Sequence, residues 1–150
     1  MTETSLHLPT PAAAEALGAA AGRALRSGEA ICLWGPLGAG KTTLARGLIR
    51  SLTTPEEEVP SPTFTLVQTY DGPDFALAHF DLYRIARPEE IFELGLDEAL
   101  DQGAAIIEWP ERLEGRLPTD RLDIVLTIEG DGRRARLRPH GAWEGRGLEF

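Results

Sequence analysis

The apolar positions of this chain change period several times, and each change marks an element. In TPAAAEALGAAAGRALRSGE, Thr10 can cap a helix that has Pro11 at its first position, and Gly28 stands where such a helix stops. The pattern predicts a helix over 11–27. AICLW, Ala30 to Trp34, is a short continuous apolar run suited to a buried parallel strand, and it leads into a glycine-rich turn. In the following TTLARGLIRSL, Leu44, Leu48, Ile49 and Leu52 share one helical face. TFTLVQTY, Thr63 to Tyr70, is rich in β-branched and aromatic residues, and DGPD then turns the chain into FALAHFDLYR, which together read as a hairpin. RPEEIFELGL predicts a short helix opening at Pro88 and stopping near Gly95, and LDEALDQ a further turn. AAIIEW, Ala104 to Trp109, is a second buried-type strand ended by Pro110. LDIVLTIE and RRARLRP flank GDG as a second hairpin. Strand, loop, helix and further strands in this order predict an α/β domain with a mixed sheet.

Composition narrows the setting. A chain of 150 residues has the size of one domain, and 42% hydrophobic with 26% charged residues is ordinary globular usage. No segment approaches the ~18 apolar residues of a membrane span. The start, MTETSLHLPT, lacks the basic and apolar parts of a signal peptide, and the single Cys32 excludes an internal disulfide. A cytoplasmic protein is expected. The net charge of -9 disfavours direct binding of nucleic acid. One basic cluster, Arg133, Arg134, Arg136 and Arg138, is set against this, either to meet a phosphate or as a solvated strand beside acidic neighbours.

Fourteen of the fifteen basic residues are arginine; the one lysine, Lys41, lies in GPLGAGKTT. Gly35, Gly40, Lys41 and Thr42 fit G-x-x-x-x-G-K-[ST] between a predicted strand and a predicted helix, the P-loop pattern. Gly35, Gly38 and Gly40 let backbone N–H groups of the run Gly35, Pro36, Leu37, Gly38, Ala39, Gly40 wrap phosphates, and the helix beginning near Thr42 and Thr43 points its positive end at them. Lys41 reaches the β- and γ-phosphates, where a compact ammonium on a flexible stem suits better than a guanidinium. Thr42 offers a hydroxyl to Mg2+.

Such a site needs an acid at the end of a neighbouring strand. Asp81 ends AHFD and Glu108 ends AAIIE. Glu108 is assigned to the metal and Asp81 to the metal's waters or the attacking water, although either position also suits an ordinary surface carboxylate. SPTFT supplies hydroxyls at Ser61, Thr63 and Thr65, a segment that can switch with the γ-phosphate or simply turn before an edge strand. Trp109 lies beside the nucleotide, at a partner surface or in the core. His7, His79 and His140 are scattered without cysteine partners, so no zinc site is expected, and Cys32 reads as packing.

With GPLGAGKTT, SPTFTLV, HFDLYR and IIEWPERL in this order, the sequence resembles the TsaE (YjeE) family, small bacterial ATPases of tRNA threonylcarbamoyladenosine biosynthesis; the resemblance covers roughly residues 5 to 140. It implies a P-loop NTPase fold, with parallel central strands, added antiparallel strands and flanking helices. It also implies an ATP cycle that supports the threonylcarbamoyl transferase pair TsaB and TsaD. Residues 35 to 43 would bind phosphates, Thr42 and Glu108 would contact magnesium, and Asp81 would serve hydrolysis. SPTFT would be the switch and Trp109 would lie near the nucleotide. Thr10 and Arg134 fall where the family's terminal segments approach the nucleotide, and Arg133 can replace Arg134 in register. The acidic surface then fits an enzyme that meets proteins rather than tRNA. A small-molecule kinase, with Arg84, Arg112 or Arg116 holding a second substrate, and a nucleotide-binding adaptor with negligible turnover are the alternatives.

Overall fold

The computed structural model describes residues 3–62 and 65–148. Its centre is a seven-stranded sheet in the order β1-β7-β6-β2-β5-β4-β3. Strands β2 (Ala30–Trp34), β4 (Ala76–Asp81), β5 (Gly103–Glu108) and β6 (Arg121–Glu129) run parallel. On one side β3 (Val67–Asp71) joins β4 antiparallel, and on the other β7 (Gly132–His140) joins β6 and β1 (Thr4–Leu8) joins β7, both antiparallel. The α/β class with parallel central and added antiparallel strands is thus present, as are both hairpins.

Each face of the sheet has its own core. Leu17, Ala21, Leu44, Leu48 and Ile49 of helices α1 (Pro11–Ala24) and α2 (Lys41–Leu52) bury Ile31, Leu33, Ile106, Ile124 and Leu126. On the opposite face, short helices α3 (Glu89–Glu93) and α4 (Leu96–Gln102) contribute Ile91 and Leu96, which cover Ala30, Cys32, Phe80 and Ile107. The alternation of Ile31 and Leu33 with Ala30 and Cys32 explains why the whole β2 run is apolar. Burial, with Asp123 nearby, pushes the Cys32 thiol well above its usual range, so it packs as a small apolar group.

Helices α1 and α2 approach to backbone contact. A Cβ on Gly18 would stand 2.0 Å from the Leu44 carbonyl oxygen, and one on Gly47 would stand 2.2 Å from that of Glu15. Only glycine permits this crossing.

Two expected boundaries move. The first helix stops at Ala24, three residues short of the prediction, because Leu25 turns extended into the core and Arg146 Nη1 takes the Ala24 carbonyl at 3.0 Å. β3 starts at Val67 rather than Thr63, since Leu66 adopts a left-handed φ of 69° and its N–H returns to the Pro62 carbonyl at 2.6 Å. Thr63 and Phe64 lie outside the described residues. LDEALDQ, read as a further turn after the short helix opening at Pro88, forms the seven-residue α4. The sequence reading placed no element at β1, although SLHL alternates polar and apolar and Leu6 and Leu8 face the core. Among the described residues, no helix is long and apolar enough to cross a membrane.

Candidate functional site

The loop between β2 and α2 is shaped by its glycines. Gly35 has φ 144°, and a Cβ there would stand 2.5 Å from the Leu126 carbonyl oxygen of the adjacent strand. Gly40 has φ 99° and opens α2 with no side-chain cap, leaving the first N–H groups of a twelve-residue helix for an anion. Leu37, at the crest of the loop, is two-thirds exposed.

Lys41 is buried, and its ammonium donates to the Gly35 carbonyl and sits 3.2 Å from the centroid of the Trp109 ring. Burial lowers its pKa, against the opposing pull of Glu108, Glu111 and Asp81. Trp109 leaves β5 with a left-handed φ of 61°, a conformation that costs a tryptophan about 1–2 kcal/mol. Its ring is held by Lys41 on one side and by Tyr83 at 4.8 Å, and Arg112 lies 5.9 Å from the Tyr83 centroid.

Asp81 and Glu108 occupy paired positions at the carboxyl ends of β4 and β5. Both are buried, yet their partners differ. Thr42 Oγ1 donates to Glu108, 3.2 Å from Oε1 and 3.4 Å from Oε2, and His79 Nε2 stands 2.6 Å from Oε2. Asp81 Oδ1 accepts the Tyr83 N–H at 3.0 Å, which fixes the turn after β4. Lys41, Thr42, Thr43, Ser61, Asp81, Glu108 and Trp109 line one hollow. Thr65 does not line it; its hydroxyl accepts from Gln68 Nε2.

A second hollow opens on the other flank of the loop, between Thr10, Thr43, Gly38, Asp131 and Arg133. Thr10 Oγ1 accepts the Ala13 N–H and so caps α1. The arginine that reaches this flank is Arg133, whose Nη2 and Nε donate to the Gly38 carbonyl at 2.9 and 3.2 Å. Arg134 faces the other side of β7, where it pairs with Glu129 at 2.6 Å and donates to Ser5. Neighbouring strand residues point to opposite faces, so only one of the two can meet the loop. Arg138 likewise pairs with Glu3, so the basic run is a strand among acidic neighbours with Arg133 turned to the site.

Among the described residues there is no cluster of three His, Cys, Asp or Glu side chains. A single carboxylate within hydrogen-bond reach of a hydroxyl at a helix start fits Mg2+, which takes few protein ligands and completes its shell with water and substrate phosphates. Sequence reasoning missed His79, Asp131 and Tyr83; spacing puts His79 on the strand face of Asp81, but its partner Glu108 lies on another strand.

The family model "Threonylcarbamoyl adenosine biosynthesis protein TsaE" matches residues 8–136. Proteins named tRNA threonylcarbamoyladenosine biosynthesis protein TsaE are similar across most of the chain. The one from Rickettsia bellii is 42% identical over 110 residues, covering 73% of this chain and 76% of its own. That of Treponema pallidum is 41% identical over 118 residues, covering 78% and 86%. The Bacillus subtilis relative is 40% identical over 110 residues, covering 73% and 68%. The crystal structure of Bacillus subtilis YdiB superposes with a TM-score of 0.79 at 30% identity, covering 95% of this chain and 90% of that one. The chain therefore belongs to the TsaE family of threonylcarbamoyladenosine biosynthesis proteins.

Proposed function

We propose that the protein binds Mg-ATP in the loop at 35–43 and hydrolyses it to ADP and phosphate, in support of a threonylcarbamoyl transferase assembly of TsaB and TsaD. The observation that carries this reading is the Thr42–Glu108 hydrogen bond, which joins the start of α2 to the end of β5 beside Lys41. Phosphates would take the N–H groups of the loop, and Lys41 would exchange its bond to Gly35 for phosphate oxygens. The nucleoside would extend toward Thr10 and Arg133. Mg2+, held by Thr42 and Glu108, would neutralise charge on the β- and γ-phosphates. Asp81, at the rim of the same hollow, would orient or deprotonate the attacking water.

Single-turnover mixing with ATP, alone and with TsaB and TsaD, tests the reading by phosphate release. The expected result is slow release alone and faster release with the partners, strongly reduced in Asp81→Ala. Parent-rate hydrolysis by Asp81→Ala with partners present would remove the role given to Asp81. Phosphate moved to a small acceptor would make the protein a kinase, and absence of turnover would make it an adaptor.

A further inference from the structure

We propose that His79 is a positioning residue for Glu108, holding one oxygen of that carboxylate so that the other faces Thr42 and a bound Mg2+. The inference rests on the Mg-ATP reading above. β4 places His79 two residues before Asp81, on the sheet face that carries Glu108 on β5. Nε2 and Glu108 Oε2 stand 2.6 Å apart, a hydrogen bond that an Nε2–H donates to the ionised carboxylate, and both side chains are almost wholly buried. Thr42 by itself does not choose between the two oxygens, at 3.2 and 3.4 Å. The imidazole does, because it occupies Oε2 and leaves Oε1 as the nearer partner of the Thr42 hydroxyl.

Stability alone gives a poor account of a histidine here. Its Nδ1 is buried with no partner among the described residues, an arrangement that costs free energy an apolar side chain would avoid. The bond to Glu108 is what the ring contributes. Outer partners of this kind orient a metal ligand, and their loss lowers metal affinity about 10–100-fold.

The test compares His79→Asn with His79→Gln. The Gln amide nitrogen reaches about as far as Nε2, whereas the Asn amide is too short to bond Glu108. Binding of a fluorescent ATP analogue is measured in EDTA and across a Mg2+ titration, with thermal unfolding of each variant alongside. His79→Asn is expected to need about tenfold or more Mg2+ for its effect on affinity, while its affinity in EDTA stays at the parent value. His79→Gln is expected to follow the parent in both. An Asn variant with the parent's Mg2+ dependence overturns the proposal, as does equal loss of affinity with and without Mg2+, which would mark a purely structural role. If His79→Asn does not fold, a folded His79→Gln decides alone: parent-like Mg2+ dependence supports the proposal and its loss overturns it. A parent protein indifferent to Mg2+ would instead remove the Mg-ATP reading itself.

Discussion

The two flanks of the glycine-rich loop are built differently. Toward β4 and β5, His79, Asp81 and Glu108 are buried at the ends of central parallel strands, and side chain bonds to side chain across elements. Toward β6 and β7, Arg133 stands just past a two-residue turn at Gly130 and Asp131, and it bonds to a backbone carbonyl of the loop. The groups to which the proposed hydrolysis gives chemical roles therefore lie in the sheet core, where packing determines their rotamers. Groups assigned to hold the ligand come from a surface hairpin whose contact is with backbone and survives local adjustment.

This contrast is most sharply tested at Lys41, where the buried flank meets the loop. Lys41→Ala should lower ATP affinity by roughly 10²–10⁴-fold, since two charged hydrogen bonds of about 1.5–3 kcal/mol each are lost, while the protein still unfolds cooperatively near the parent temperature. Isothermal titration and a thermal melt check both parts. The same residue gives a pH signature. Because burial depresses its pKa, the ammonium loses its proton below the range of an exposed lysine. ATP affinity should decline there, while stability rises between the depressed folded value and the unfolded one, because the unfolded chain binds more protons over that interval. An affinity flat up to the titration of ordinary lysines would contradict the burial argument.

On the hairpin flank the expected effects are smaller. Arg133→Ala should weaken ATP binding by about five- to tenfold, the value of one or two exposed hydrogen bonds, and Arg134→Ala should leave it unchanged. Equal losses in the two variants would mean that the strand's charge, not the Gly38 contact, matters. Least of all, Thr10→Ala should cost about 1 kcal/mol of stability through the lost cap of α1, lowering the melting temperature by about 2–4 °C. A larger loss in affinity than in stability would move Thr10 from cap to ligand contact.

Much of the buried flank was legible in sequence because short apolar runs end in acids there. AHFD and AAIIE placed Asp81 and Glu108 at strand ends, and the strands' parallel pairing then set the two residues opposite each other. The hairpin flank was less legible. Whether Arg133 or Arg134 meets the loop depends on the face of β7, and a one-residue change of register would exchange them. His79 was hidden for a different reason: its role comes from a neighbour 29 residues away, and no local spacing carries that. The early end of α1 depended on Arg146, still more distant in sequence.

The glycine crossing of α1 and α2 has a mechanical consequence. With the backbone of each helix seated against the other at Gly18 and Gly47, the pair has little freedom to slide or roll and should respond to load as one stiff body. The start of α1 at Thr10 and the start of α2 at Lys41 belong to that body, so their spacing should stay nearly constant through the proposed ATP cycle. Whatever compliance the site has is then concentrated in parts outside the pair, such as the β6–β7 hairpin. In hydrogen exchange, the facing amides of the two helices should open together.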